Sequence, residues 1–223
     1  MFPIRDHNRS NKFPLFTIII ILANAYFFFL ELTSADLEIF ITNYALVPAA
    51  IDIINPLTWW PFVSSMFLHG GWLHIISNMW FLWIFGDNIE ASLGHVKFLL
   101  FYLVTGVAAG LTQYFISPSS VIPVLGASGA IAGVLGGYLV LYPHAKIETL
   151  VTTFGGFMST INIPASFMLI YWFVTQLFSG VGSVAIGTQT QGGIAFFAHA
   201  GGFAAGWILM RMVKPYLAQV RIE

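Results

Sequence analysis

The chain has 223 residues, of which 58% are hydrophobic and 8% are charged, and its net charge is −1 at pH 7. Soluble globular domains carry about a quarter charged residues, so this composition predicts a protein that crosses a membrane several times. The near-neutral charge offers no basic surface for nucleic acid, and the lack of cysteine excludes disulfides, thiolate catalysis and cysteine-ligated zinc.

Six apolar segments have lengths near the roughly 20 residues that a membrane-spanning helix needs. They follow a polar and basic segment, residues 1–12, without an obvious cleavage site, so we expect a retained first helix. The predicted helices are Phe13–Leu32, Gly71–Gly86, Val96–Ile116, Ser128–Pro143, Pro164–Gly180 and Ile194–Val213. The second and fourth are short for a full span. We predict an all-α membrane protein with one bundle over residues 13–213 and a tail at 214–223.

Basic residues orient the predicted bundle. All eight fall at the N-terminus, in the connections after the second and fourth helices, or at the C-terminus, namely Arg5, Arg9, Lys12, Lys97, Lys146, Arg211, Lys214 and Arg221. With six spans these positions share one side of the membrane. The positive-inside rule therefore predicts that both termini lie in the cytoplasm, and we expect the protein in the plasma membrane.

The segment Thr149–Ile163 is apolar enough to lie at the membrane surface, but its β-branched residues disfavour a helix. If it crossed the membrane, the last helix would be inverted and its basic residues would lie outside. We therefore predict a cytoplasmic-side or interfacial connection.

Strongly polar side chains inside the predicted spans are few, and such residues are expensive in a bilayer and usually functional. His74 and Asn78 lie four residues apart on one face of the second helix, Ser128 begins the fourth, and His199 lies about two turns into the sixth. These three helices all run inward from the outer face. All four side chains are therefore expected at a similar depth in the outer half of the membrane.

These residue types suggest acyl-transfer chemistry. A serine hydroxyl needs a base to take its proton, and imidazole titrates near neutrality, so Ser128 and His199 form a candidate pair. His74, the Asn78 amide and the Ser128 backbone N–H are candidate donors to an oxyanion. Because no carboxylate maps to this depth, we expect a Ser–His dyad without a third member. We also expect no metal or cofactor, because no carboxylate or cysteine joins the histidines.

Each feature also has an explanation that involves no catalysis. Gly129, Gly133 and Gly137 recur every fourth residue, as in closely packed membrane helices, and a serine among them commonly bonds a neighbouring helix. The polar side chains could instead line the path of a small transporter. That alternative predicts polar residues through the inner half of the spans, where few occur. Gln176 in the fifth helix is an isolated exception.

Taken together, four motifs resemble those of the rhomboid intramembrane serine proteases. Three of them, HIISN (His74–Asn78), GASG (Gly126–Gly129) and AHAGG (Ala198–Gly202), occur in the family's order, and the fourth, GDNIEASLG (Gly86–Gly94), comes just after the second helix. The resemblance covers about residues 57–213. It implies a six-helix bundle in which a short fourth helix starts inside the membrane. It also implies that transmembrane proteins are cut near the outer face, in a locally unwound segment.

The resemblance also implies a role for each site residue. Ser128 is then the nucleophile and His199 the general base. His74, Asn78 and the Ser128 backbone form the oxyanion hole, and Gly126 leaves room for the substrate backbone. Ala132 stands where many members have an aromatic residue that packs on the base, so the resemblance names no contact for the His199 ring.

We therefore predict an intramembrane serine endopeptidase. Inactive relatives lose the serine or the histidine, and this chain keeps both Ser128 and His199. The alternatives are an inactive rhomboid-like protein that binds membrane proteins, or a small transporter. Expected partners are transmembrane substrates and the lipid bilayer, and no nucleic acid.

Overall fold

The computed structural model describes residues 2–8, 10–152, 156–185 and 196–220, which form a helical bundle with one small sheet. Besides short 3-10 turns, the elements are β1 (Phe2–Asp6), α1 (Leu15–Thr33), α2 (Leu37–Tyr44), α3 (Pro61–Ser64), α4 (Trp72–Leu93), α5 (His95–Ile116), α6 (Ser128–Leu141), β2 (Lys146–Thr152), β3 (Met158–Pro164), α7 (Ala165–Ala185) and α8 (Phe196–Val220). Arg9, Arg221 and the predicted helix start at Ile194 lie outside the described residues.

Helices occur at all six predicted positions. Within the described ranges, three are long and apolar enough to span a membrane, Leu15–Thr33, His95–Ile116 and Phe196–Leu217, whereas α6 and the apolar part of α7 are shorter. The helix α4 continues seven residues beyond the predicted end at Gly86. Its last two turns carry Asn88 and Glu90, which are buried and make hydrogen bonds inside the protein. The number of spans stays a prediction.

The described residues are mostly helical, as predicted, but the protein is not all-α, because three antiparallel strands form a sheet in the order β1-β2-β3. Within the predicted connection Thr149–Ile163, residues 149–152 belong to β2 and residues 158–163 to β3, and these strands pair Ile147 with Ile163. Residues 153–155 lie outside the described residues. The described strands agree with the β-branched residues that disfavour a helix, because such side chains pack well on a pleated surface. The side of the membrane on which this connection lies stays a prediction.

The strand β1 joins this sheet from the other end of the chain, pairing Phe2 with Leu150. The Pro3 carbonyl accepts a 2.8 Å hydrogen bond from the Trp80 indole of α4. Asp6 is 5% exposed and accepts hydrogen bonds from Tyr138 and Asn88. Residues 2–6 are therefore packed against the bundle. They belong to the polar segment 1–12, which the sequence analysis places before the bundle.

The start of α1 is held by a carboxylate of α4. Its preceding residue, Pro14, provides no capping side chain. Glu90 takes that role: its oxygens accept 2.8 Å hydrogen bonds from the backbone N–H groups of Phe16 and Thr17. A negative charge at a helix N-terminus also interacts favourably with the helix dipole. The motif residue Glu90 thus fastens α1 to α4.

The helix α6 lies in the centre of the bundle and approaches α8 closely. A Cβ atom at Gly202 or Gly206 of α8 would collide with the backbone carbonyl of Gly129 or Gly133 of α6. On the other side of α6, a Cβ at Gly133 would collide with Thr105 of α5. The predicted close packing of Gly129 and Gly133 is therefore confirmed. This contact fixes α6 against α8 within the first two turns of α6, where its first residue faces the α8 histidine.

Candidate active site

Ser128 is the first residue of α6, and the loop before it is held in place by backbone contacts. Leu46 and Val124 exchange two hydrogen bonds of 2.8 and 2.9 Å, and the Gly126 N–H donates to the Ser65 carbonyl at 2.8 Å. Gly126 has φ +123°, a region that side-chain-bearing residues rarely adopt. The backbone N–H groups in the first turn of a helix have no intrahelical acceptor. Ser128 therefore presents its hydroxyl and its N–H at the same helix end.

His199 of α8 bridges two side chains. Its Nε2 lies 2.7 Å from Ser128 Oγ, and its Nδ1 lies 2.8 Å from Gln176 Oε1 of α7. An amide oxygen only accepts hydrogen bonds, so Nδ1 carries the imidazole hydrogen. In the neutral ring Nε2 is then the acceptor for the Ser128 hydroxyl. This arrangement is suited to removing a proton from Ser128.

The His199 ring also contacts Trp172 of α7, with ring centroids 5.9 Å apart and planes tilted by 31°. Trp172 thus provides the aromatic contact with the His199 ring that Ala132 cannot make. Neither Trp172 nor Gln176 is among the predicted site residues, although Gln176 stands out as a polar residue in an apolar helix. The spacing of four residues places both on one helix face, which is the signal available in the sequence.

His74 and Asn78 of α4 border Gly126. A Cβ atom at Gly126 would lie 2.7 Å from His74 Nε2 and 3.6 Å from Asn78 Nδ2. His74 Nδ1 accepts a 3.3 Å hydrogen bond from the Gly70 N–H, so its Nε2 carries the hydrogen in the neutral ring. Asn78 Nδ2 is buried and has no hydrogen-bond partner among the residues that the structure describes. Two N–H donors therefore lie beside Gly126, and the closer one, on His74, leaves no space for a side chain there.

A cavity of about 890 Å³ connects these groups. All five predicted site residues line it, namely Gly126, Ser128, His74, Asn78 and His199. Its volume is within the range of ligand sites, and Ser128 and His199 are half-buried, so a substrate and water can reach them. The structure thus brings together residues that lie up to 125 positions apart along the chain, 199 − 74.

Metal ligands do not converge at this site. In the described ranges, no group of three or more His, Cys, Asp or Glu side chains could hold a metal ion. The rings of His69 and His74 lie 5.1 Å apart. The Glu31 carboxylate contacts the same region, but there it accepts a 2.8 Å hydrogen bond from the His69 backbone N–H. This histidine pair supplies two nitrogen ligands at most, fewer than a protein zinc site uses.

The sequence is similar to known proteins over the region that contains these residues. A family model described as "Rhomboid domain" matches residues 56–216. The putative rhomboid protease YdcA of Bacillus subtilis is 29% identical over 168 residues, covering 70% of this chain and 81% of YdcA. Rhomboid protease GluP of Bacillus subtilis is 35% identical over 133 residues, covering 58% of this chain and 25% of GluP.

A plant relative is more similar over a shorter region. The chloroplastic Rhomboid-like protein 11 of Arabidopsis thaliana is 43% identical over 75 residues, covering 34% of this chain and 26% of that protein. This chain therefore aligns with about a quarter of the length of GluP and of the plant protein. The family match includes every residue of the cavity described above from Ser65 to His199 and covers most of the chain, which therefore belongs to the rhomboid family of membrane proteins.

Proposed function

We propose that this protein is an intramembrane serine endopeptidase that hydrolyses peptide bonds in or near the transmembrane segments of other proteins. The observation that carries the proposal is the 2.7 Å contact between Ser128 Oγ and His199 Nε2. That distance is normal for a hydroxyl donating to an acceptor nitrogen in a nucleophile–base pair. The names of YdcA and GluP as rhomboid proteases support the same activity class.

In the first half of the reaction, Ser128 Oγ attacks the carbonyl carbon of the scissile bond while His199 Nε2 takes the hydroxyl proton. The carbonyl oxygen becomes an oxyanion. As the tetrahedral intermediate collapses, His199 returns that proton to the leaving amine nitrogen and the C–N bond breaks. Ser128 then carries an ester of the N-terminal substrate fragment.

The second half of the reaction repeats these steps with water. His199 takes a proton from water, the resulting hydroxide attacks the ester carbon, and the proton returns to Ser128 Oγ as the acid product leaves. In both halves the oxyanion accepts hydrogen bonds from the His74 Nε2–H, the Asn78 Nδ2–H and the Ser128 backbone N–H. Asn78 Nδ2 supports this role, because it is buried without an acceptor in the part of the chain that the structure describes, and an unsatisfied buried donor is costly.

We expect the substrate backbone to be locally extended where it reaches Ser128. A helical peptide bond is shielded by its own hydrogen bonds, so a spanning segment must unwind before Ser128 can reach its carbonyl. Gly126 carries no side chain that would stand between that backbone and His74, which would lie 2.7 Å from a Cβ at this position. By the distribution of basic residues, the protein lies in the plasma membrane with cytoplasmic termini and with this site toward the outer face.

A serine-directed fluorophosphonate probe tests the proposal. We expect the purified wild-type protein to be labelled covalently, and Ser128→Ala and His199→Ala to lose labelling by at least 100-fold, because the nucleophile and its base act as a unit. Ser159→Ala, in an exposed position on β3, is the matched control and should be labelled as wild type. Undiminished labelling of Ser128→Ala would disprove the assignment.

A further inference from the structure

We propose that Gln176 is a positioning residue for His199: it selects the imidazole tautomer that accepts the Ser128 proton and holds the ring toward Ser128. This inference rests on the proposed protease function and extends it. It turns the expected dyad into a chain of three side chains, in which the third member is a neutral amide from α7 and not a carboxylate.

The geometry carries the inference. Gln176 Oε1 lies 2.8 Å from His199 Nδ1, on the side of the ring away from the serine contact at Nε2. If the hydrogen were on Nε2 instead, Nδ1 would face the amide oxygen as a second acceptor and Nε2 could not take a proton from Ser128. Gln176 therefore favours the one neutral tautomer that can act as a base.

Trp172 restricts the same ring from its face. Its indole lies 5.9 Å from the His199 ring centroid and also packs against Phe203 of α8, at 6.1 Å. Gln176 follows Trp172 by four residues on α7, so both reach His199 from one helix face. A hydrogen bond at the edge and an aromatic contact at the face together fix the orientation of the ring.

A neutral partner suits the surroundings of His199. The ring faces Ser128 of α6, Trp172 and Gln176 of α7, and, among the described residues, His74 of α4 as its titratable neighbour. No carboxylate is part of this set. A buried carboxylate is costly to desolvate, whereas an amide oxygen accepts the Nδ1–H without a charge. The His199 ring is thus oriented by a hydrogen bond to a neutral side chain, without a buried anion beside it.

Two substitutions separate this role from a structural one. Gln176→Met has a similar length and lacks the amide, whereas Gln176→Glu keeps an acceptor oxygen and adds a negative charge. Thr175→Val is the matched control, because the Thr175 hydroxyl donates a hydrogen bond to the Trp172 backbone carbonyl of its own helix. The measurement is kcat and KM against pH on a transmembrane substrate, with Ser128→Ala as the inactive reference.

We expect Gln176→Met to lower kcat by about tenfold with little change in KM, which corresponds to the loss of one oriented hydrogen bond. Gln176→Glu should restore most of kcat and move the acid limb of the kcat profile to higher pH, because the added charge stabilises the protonated imidazole. Thr175→Val should match the wild type. A wild-type kcat in Gln176→Met, or a Gln176→Glu profile that superimposes on the wild type, would overturn the inference. If Gln176→Met does not fold, the Gln176→Glu profile decides alone.

The two proposals fail in different ways. Hydrolysis that persists in Ser128→Ala contradicts the protease mechanism itself. Hydrolysis that needs Ser128 but is indifferent to both Gln176 substitutions contradicts the positioning role alone. Nitrogen-15 NMR of the histidines in Ser128→Ala provides a readout without turnover. Nδ1 of His199 should be protonated when Gln176 is present, and Gln176→Met should give a mixture of tautomers.

Discussion

The two ends of α6 are both polar, but they are organised in opposite ways. At one end, Ser128 and His199 border a cavity, and Asn78 has a buried donor that no described group accepts. At the other end, Tyr138 donates to the Asp6 carboxylate, which Asn88 also contacts at 2.9 Å. The Ser128 end leaves its hydrogen-bonding groups available to a ligand, whereas the Tyr138 end pairs them with each other.

This difference divides α6 into two regions with different surroundings. The two ends are ten residues apart, about 15 Å along the helix axis, so neither contacts the other directly. Between the two ends, glycines bring α6 and α8 so close together that a Cβ atom at these positions would collide with the other helix. We infer that the polar cluster at the Tyr138 end stabilises the position of α6, and that the Ser128 end uses that fixed position for chemistry.

Two asparagines of α4 provide the sharpest test of the comparison. Asn78 faces the Ser128 end and Asn88 the Tyr138 end. We expect Asn78→Ala to lower kcat by about 10²–10³-fold with a small change in KM, because the lost donor acts on the developing oxyanion. Its thermal unfolding should resemble that of the wild type, since the Asn78 amide donor has no partner to lose among the described residues.

Asn88→Ala is the matched control, and we expect it to affect stability and not kcat. It should lower the free energy of unfolding, because it removes hydrogen bonds to Asp6 and Asn8, and leave kcat of the folded protein unchanged. The measurements are steady-state kinetics and thermal unfolding in detergent. A pure KM effect in Asn78→Ala, or equal kinetic damage by both substitutions, would contradict the division of α6 into two functional ends.

The residues at the Ser128 end could largely be predicted from the sequence. Ser128, His74, Asn78 and His199 are polar residues in apolar helices, and the helical periodicity with the charge pattern gives them a common depth. Gln176 could not be placed in the same way. A depth does not tell which neighbouring helix a side chain faces, and the relative rotation of α7 and α8 depends on packing that the sequence does not display.

A substitution at the other end tests anchoring alone. The Tyr138 side chain is completely buried, and its hydroxyl donates to Asp6 Oδ2. We expect Tyr138→Phe to lower the free energy of unfolding by about 1–2 kcal/mol, because Asp6 loses a buried donor, and to keep probe labelling of Ser128 at the wild-type level. Tyr171→Phe, at an exposed position on α7, should change neither quantity. Lost labelling in a folded Tyr138→Phe protein would show that the two ends are coupled.

The anchoring end was beyond prediction from the sequence for a physical reason. The β-branched residues of Thr149–Ile163 disfavour a helix, but whether such residues form a paired strand depends on which other part of the chain lies beside them. Here β1 pairs Phe2 with Leu150, 148 positions away. Asp6 in a polar N-terminal segment has the composition of a solvated tail, and only the docked strand shows that it is buried against Tyr138.

The smallest expected effect concerns the pH dependence of this anchor. Burial raises the pKa of the Asp6 carboxyl above its ordinary value of 3.8, although hydrogen bonds from Tyr138 and Asn8 and the nearby His7 oppose the shift. The folded protein therefore holds the Asp6 proton more tightly than the unfolded chain does. Its contribution to stability is complete below pH 3.8 and is lost as the pH rises through the folded-state pKa.

Asp6→Asn keeps the size of the side chain and removes this titration. We expect the wild type to lose stability relative to Asp6→Asn as the pH rises from about 4 toward 7, with the difference constant once Asp6 is ionised in both states. Unfolding midpoints in detergent across that range, with Ser128 labelling as the control for the other end, provide the measurement. An opposite slope would mean that Tyr138 and Asn88 stabilise the Asp6 carboxylate better than water does. The Tyr138 end would then be a site that binds the protein's own Asp6 carboxylate. The two ends of α6 would differ in that this site is filled, whereas the cavity at the Ser128 end is open to a ligand.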